Sequence, residues 1–297
     1  MKSYRARKLK NQLASALALG CVVVALIPLA SILTEVISRG LPAISWDFLT
    51  QRTMSSGNPD SGIGNAIIGS ILLVLWASAI GLPLGILTGV YVSEYGNNAI
   101  GKSIRFFNDV LSNFPSIVVG LFAYSLVVTV VGFSMISGAF ALALIMIPIV
   151  ANTTEESLKM VPNSLREASL ALGVPRWKTV IKVIISNGRA GLVTGALLAI
   201  ARVAGETAPL LLTSFGNPFW STDVFSPTAA LPLTIFRNAM SPYADLQEQA
   251  WGAALVLILM VLSLNIGVRV LTRTRLGKKT RSKAVKTKWL ARLRLSG

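Results

Sequence analysis

Six long apolar runs cover most of this 297-residue chain, roughly residues 13–37, 66–93, 110–131, 135–152, 190–212 and 250–271. Each nears or exceeds the about 20 residues that a helix needs to cross ~30 Å of hydrocarbon. Lipid offers no hydrogen bonds, so backbone N–H and C=O groups there must be satisfied internally, which a helix does. Only 13% of residues are charged, against about 25% in a soluble domain. An ordinary soluble enzyme is excluded. The expected fold class is all-α: a polytopic membrane protein with six transmembrane helices.

The formal net charge of +16 would suit a nucleic-acid binder, but its distribution points elsewhere. With both termini placed in the cytoplasm, the outer segments hold only Arg39, Arg52 and Arg237, and Arg202 lies inside a run. All other Lys and Arg residues fall on the inner side, which is the positive-inside bias of a membrane protein. No nucleic-acid partner is expected; the partner of the basic excess is the lipid bilayer. Basic residues near anionic headgroups contribute about 1 kcal/mol each. The chain has no His and one Cys, which rules out an intrachain disulfide and leaves no Cys/His metal site. No nucleophile–base cluster marks a catalytic centre.

The expected organisation is a basic inner tail (1–12), a first transmembrane helix (13–37), an outer loop (38–65), a five-helix core (66–271) and a second basic tail (272–297). The core includes an inner loop at 153–189 and an outer segment at 213–249. Apolar sequence continues past Cys21, so the first run reads as a retained helix rather than a signal peptide. Cys21 then reads as a small buried apolar residue. Short helices are expected around Trp46-Asp47-Phe48 and, on the surface or re-entrant, over Leu233–Arg237.

Pro115 sits inside the third run, where it removes one backbone hydrogen bond and bends the axis. The bend serves either packing or a pathway. In the inner loop, Ser164-Leu165-Arg166-Glu167 fits a capping box, in which Ser164 and Glu167 satisfy each other's orphan N–H groups. Leu165, Ala168 and Leu172 share one face. Gly173 suits a left-handed helix end, and Pro175 the first turn of a second helix. On that second helix Trp177, Val180, Ile181 and Ile184 form an apolar stripe, suited to the inner membrane surface. This loop is either a plain amphipathic connector or a docking helix for a partner.

Arg202 lies about 18 Å into the fifth run at 1.5 Å per residue, with Glu206 one turn further on the same face. Each would cost about 2.5–3.5 kcal/mol or more facing lipid at the bilayer centre. They pair, face a polar cavity, or do both. Pro209 frees the carbonyl of Gly205 and loosens the backbone beside Glu206.

Glu167-Ala168-Ser169 followed after three residues by Gly173 resembles the EAA loop of ABC-importer permeases. Ser169 replaces an Ala of that pattern. Val183 fits its later apolar position, and Ile185-Ser186 stands in place of a Leu-Pro pair, so the second helix is expected to join the fifth run with less of a break. Four further segments resemble the PstA-type permeases of bacterial phosphate importers: Ala201 to Leu211, Asn113 to Gly120, Gly62 to Gly69, and Thr153 to Glu156 with Val161-Pro162. Asn152 stands where that family has Arg.

The resemblance implies a type I ABC-importer permease fold in the bacterial inner membrane, importing phosphate by alternating access. It implies a PstC-type sister permease, a PstB-type ATPase dimer and a PstS-type periplasmic phosphate-binding protein. The expected site residues are Arg202, Glu206 and Thr207 on the substrate pathway; Ser164, Glu167, Ala168 and Gly173 for ATPase coupling; and Pro115 and Pro209 as hinges or kinks. The chain lacks the Gly-x-x-x-x-Gly-Lys-Ser/Thr loop that binds ATP phosphates, so it is expected to be no enzyme and to hold no cofactor, ATP being bound by the partner. A permease for molybdate, sulfate or phosphonate, or a stand-alone secondary transporter, are the alternatives.

Overall fold

The computed structural model describes residues 2–58 and 60–267 and is helical almost throughout. In chain order the helices are α1 (Lys2–Ala43), α2 (Trp46–Thr50), α3 (Gly64–Tyr95), α4 (Ala99–Asn113) and α5 (Ser116–Val131). They continue as α6 (Met135–Lys159), α7 (Asn163–Ala171), α8 (Arg176–Ala204), α9 (Ala208–Thr213), α10 (Leu231–Ala239) and α11 (Ala244–Gly267). Single π-helical turns interrupt α5 at Tyr124–Val128 and α8 at Val180–Ile184. Among the described residues, α1, α3, α6, α8 and α11 are long and apolar enough to span a membrane, and the bent pair α4–α5 can supply a sixth span. The end of the sixth run and the basic tail at 272–297 lie outside the described residues.

Glycine spacing decides how the centre packs. Gly81, Gly85 and Gly89 recur every fourth residue and line one face of α3. A Cβ at these positions would lie 3.0 Å from Met146 Sδ, 2.7 Å from Val150 Cβ and 2.5 Å from the Ala151 carbonyl oxygen. The missing side chains let α3 and α6 meet backbone to backbone. The two helices run parallel, because rising numbers on one meet rising numbers on the other. Gly191 and Gly195 on α8 make the same close approach to Ser157 and Thr153 on α6, in the antiparallel sense. The shared core includes Leu73, Leu142, Met146, Ala199, Val203 and Leu210.

Parallel neighbours need a return connection, and α4–α5 supplies it. Here the structure corrects the sequence reading. The third run is no kinked helix: α4 ends at Asn113, α5 starts at Ser116, and the two are bent by 109°. Phe114 and Pro115 are both non-helical, with ψ 137° and 134°, because proline's ring disfavours the helical region for the residue before it. Most of α4 lies between the second and third apolar runs; it buries Gly101 and Asn108 and exposes Phe106 and Phe107.

α1 stands apart. Its apolar stretch has no buried residues, and its end meets the bundle, where Val36 is buried and Gly40 packs against Trp251 and Leu255 of α11. Cys21 is therefore exposed, not buried as expected, because none of the described residues packs over it. α2 forms where predicted, with Ser45 Oγ accepting from Phe48 N at 3.1 Å. α10 contains the predicted Leu233–Arg237, but it is no surface helix: Leu231 and Leu233 are buried, and Ser70 Oγ on α3 accepts from Leu231 N at 2.7 Å.

Candidate functional site

Two places gather the residues singled out above: the α7 end of the bundle, and a break in the helix beside Arg202.

α7 begins at Asn163, directly behind Pro162, and no side chain caps it. The capping box of Ser164 and Glu167 is thus corrected. Pro162, fixed in an extended conformation (φ −56°, ψ 137°), starts the helix two residues early and leaves Ser164 inside it. The far end matches the expectation. Gly173 has φ +76°, Val174 N donates to Ser169 O at 3.2 Å and Gly173 N to Leu170 O at 2.9 Å, a Schellman ending. Ser164, Glu167, Ala168 and Gly173 are all exposed, as are Leu165 and Leu172, the latter at 83%. The face that reads as apolar in sequence therefore covers nothing in this chain.

Beside that face, Ser169 is buried, and its hydroxyl lies 2.8 Å from Thr179 Oγ1 on α8. The departure from Ala thus forms a bridge between the two helices of the loop. α8 does not lie along a surface. It rises through its π turn into the span; Val180 and Ile184 are buried while Trp177 and Ile181 are each 57% exposed, so the predicted stripe is split.

Arginines tie this hairpin to the bundle. Arg166 Nη2 donates to Glu94 Oε1 at 2.7 Å and to Leu158 O at 2.9 Å, and its Nη1 to Val161 O at 2.6 Å. The pair is largely buried, at 20% and 6% side-chain exposure. Arg176 donates to the Glu94 carbonyl and sits 4.5 Å over the Tyr95 ring. From α4, Arg105 donates to Val92 O and Gly96 O at 2.9 and 3.0 Å and pairs with Glu155 of α6. Two guanidinium groups, of Arg105 and Arg176, thus occupy the C-terminal carbonyls of α3, and that of Arg166 takes carbonyls at the end of α6, where orphan acceptors and the helix dipole favour cations. α7 is bolted to α3 and α6. Sequence reasoning counted these arginines only as inner-side charge and missed the clamp.

The second place lies where Ala199 and Val203 enter the core beside Leu142 and Met146. α8 stops at Ala204 and α9 starts at Ala208. Glu206 and Thr207 are in the break rather than on a continuous helix, so the one-face reading of Arg202 and Glu206 is corrected. Pro209, at the start of α9, cannot supply an N–H to the turn before it. Arg202 is 60% exposed and Glu206 17%, with Nε and Oε1 3.9 Å apart, too long for a hydrogen bond. This is a loose ion pair open to the surface of the chain.

The two proline segments meet. A Cβ on Gly120 of α5 would lie 2.7 Å from Pro209 Cα of α9. The Asn113–Gly120 break and the Gly205–Pro209 break, 90 residues apart in sequence, are thus in contact through Gly120. Asn152 is on α6, its amide 3.5 Å from Ser112 Oγ of α4.

Solved structures share this architecture. A chain of the MetNI methionine ABC transporter, in an inward-facing conformation, superposes with a TM-score of 0.56 at 18% identity over 72% of this chain and 94% of that one. A chain of an amino acid ABC transporter gives 0.52 at 16% identity, over 71% and 94%. At such identities the likeness is one of fold. The family described as "Binding-protein-dependent transport system inner membrane component" matches residues 81–276. The chain belongs to this family of transport permeases. Among its relatives are the "Phosphate transport system permease protein PstA" of Yersinia pestis, 48% identical over 267 residues (89% of this chain, 90% of the relative), and the "Probable phosphate transport system permease protein PstA" of Methanocaldococcus jannaschii, 39% identical over 251 residues (83% and 88%).

The permease's fold makes one contact unforgiving. At Gly120 the neighbour is backbone, which cannot swing aside as a flexible side chain does. Gly120→Ala should force α5 and α9 apart at a cost of about 1–3 kcal/mol. Thermal unfolding of the purified complex measures this as a lowered midpoint; a midpoint equal to wild type would show that the two breaks do not touch.

Proposed function

We propose that this permease is a membrane subunit of an ATP-driven phosphate importer, in which α7 takes force from an ATPase and the break around Arg202 and Glu206 lines the path of the anion. The observation that carries the pathway assignment is the half-open arginine beside a helix break in the middle of the bundle. A guanidinium is strongly penalised against lipid, and among the described residues its only carboxylate partner is held loosely. It therefore faces a polar path, closed on the other side by another chain.

The chemistry fits an oxyanion. Arg202 offers charge-assisted, forked hydrogen bonds, and the half-buried Thr207 adds a hydroxyl. Glu206 repels a bare dianion, but phosphate near neutral pH keeps a proton that it can donate to a carboxylate. Sulfate keeps none. Glu206 thus favours phosphate over sulfate and limits how tightly Arg202 holds it. The partners in this reading are a PstC-type sister permease completing the path, a PstB-type ATPase dimer against Leu165, Glu167, Ala168 and Leu172, and a PstS-type binding protein on the opposite end. The α7 end then faces the cytoplasm, and Pro115 and Pro209 mark the points about which the broken spans reorient.

Uptake of labelled phosphate and sulfate by vesicles carrying the whole transporter tests the pathway. Glu206→Gln should admit sulfate and slow phosphate by about tenfold, the worth of one charge-assisted hydrogen bond. Unchanged phosphate uptake with unchanged sulfate exclusion would remove Glu206 from the selectivity mechanism.

A further inference from the structure

The end of the bundle away from α7 holds a cavity that neither the pathway nor the coupling clamp uses. It has a volume of about 170 Å³ and is lined in part by Thr53, Gly216, Asn217, Thr234, Arg237 and Asn238. A single water needs only about 10–15 Å³ of such space. α3 separates it from the α7 end: Asn65, near the start of α3, bonds Thr53 and Asn217 beside the cavity, whereas Glu94, at its end, bonds Arg166. The helix is 32 residues long, so its two ends are about 48 Å apart.

The wall carries one charge, and that charge is positive. Arg237, on α10, donates to the Phe215 carbonyl and stacks 5.4 Å from the Phe215 ring. Gly216 leaves room for it: its φ is +83°, and a Cβ there would sit 3.0 Å from Arg237 Nη1. The Phe215 carbonyl takes one of the guanidinium's five N–H donors, leaving others for a ligand. Among the described residues, no carboxylate lines the cavity.

Beside Arg237, Asn238 is 7% exposed, and its Nδ2 is buried without a hydrogen-bond partner among the described residues. Leaving a buried polar group unpaired costs about 1–3 kcal/mol, so native proteins rarely do so unless something else binds there. Its neighbours Asn65 and Asn217, by contrast, spend their amides on Asn217 O and Pro227 O at 3.0 and 3.1 Å. The idle donor therefore stands out beside two asparagines whose amides are already spent.

We infer that this cavity binds a phosphate-type oxyanion, held by the Arg237 guanidinium and the Asn238 amide, as a second anion site distinct from Arg202. Both groups are donors, one is charged, and the space takes a tetrahedral oxyanion together with waters. Inorganic phosphate and the phosphoryl group of a lipid share this chemistry. On the proposed topology the cavity is on the outer side, so a free anion bound there would be held before it reaches the break at Glu206. The choice of phosphate as that free anion rests on the proposed function; the existence of the site does not.

The test is equilibrium binding of labelled inorganic phosphate to the assembled membrane complex, purified in maltoside detergent and carrying Arg202→Gln to silence the pathway arginine. Binding should persist in this background. Adding Arg237→Gln, or separately Asn238→Asp, should weaken it about tenfold or more, whereas Arg237→Lys, which keeps the charge, should stay within severalfold. Size-exclusion profiles check assembly, and the lysine variant separates loss of charge from loss of the Phe215 turn. Sulfate binding that is lost with Arg237→Gln, without phosphate binding, keeps the site and overturns phosphate as the transported anion. A co-purifying phospholipid, seen by native mass spectrometry and lost with Arg237→Gln, assigns the site to a headgroup. Anion binding and lipid retention both indifferent to Arg237→Gln and Asn238→Asp would overturn the inference.

Discussion

Arg202→Gln should reduce phosphate uptake by about 100-fold or more while leaving the transporter assembled. The guanidinium is 60% exposed and meets Glu206 only at 3.9 Å, so its removal breaks no tight contact within this chain. It also removes a charge that costs about 2.5–3.5 kcal/mol against hydrocarbon. What is lost is the grip on the anion. Two charge-assisted hydrogen bonds contribute about 1.5–3 kcal/mol each, and every 1.4 kcal/mol is tenfold. Uptake by vesicles, together with recovery of the intact complex on size exclusion, measures both halves. Loss of assembly along with uptake would make the pair a structural brace instead.

Arg166→Ala should uncouple ATP hydrolysis from transport. Arg166 joins α7 to Glu94 on α3 and to the Leu158 and Val161 carbonyls at the end of α6. Deleting one partner of a buried pair costs about 3–5 kcal/mol, because the other charge is left without compensation. Arg176 still holds the Glu94 carbonyl and Ser169 still meets Thr179, so the hairpin should remain but swing on a looser joint. The expected result is a fall of about tenfold or more in phosphate moved per ATP hydrolysed, with little loss of ATPase binding to the exposed face of α7. Arg166→Lys should not restore the ratio, since an ammonium cannot fork between the carboxylate and two carbonyls. Unchanged stoichiometry in Arg166→Ala would mean that force travels by another route.

How much of this was legible follows from the range of each signal. Membrane spans read well because they depend only on local composition, and Gly173 read well because a left-handed helix end needs glycine locally. The breaks at Pro115 and Glu206 did not, since an apolar run looks the same whether its helix is straight or snapped by 109°. Proline marks a disturbance without giving its angle. The capping box failed because Pro162, two residues before Ser164, captured the helix start. Arg166 was hidden for a different reason: its partner Glu94 is 72 residues away, and no sequence periodicity links them. The Gly81, Gly85, Gly89 spacing was readable and would have named the α3–α6 contact. Arg202 and Glu206 were visible as misplaced charges; that Glu206 lies in a helix break was not.

ATP-dependent phosphate uptake into vesicles that hold this permease with its sister subunit and ATPase, and a binding protein supplied at the outer face, tests the central claim most directly. Uptake that requires ATP and the binding protein, and that sulfate does not compete away, is the predicted result. Phosphate uptake driven by an ion gradient without ATP, or ATP-driven uptake of a different oxyanion in its place, would contradict it.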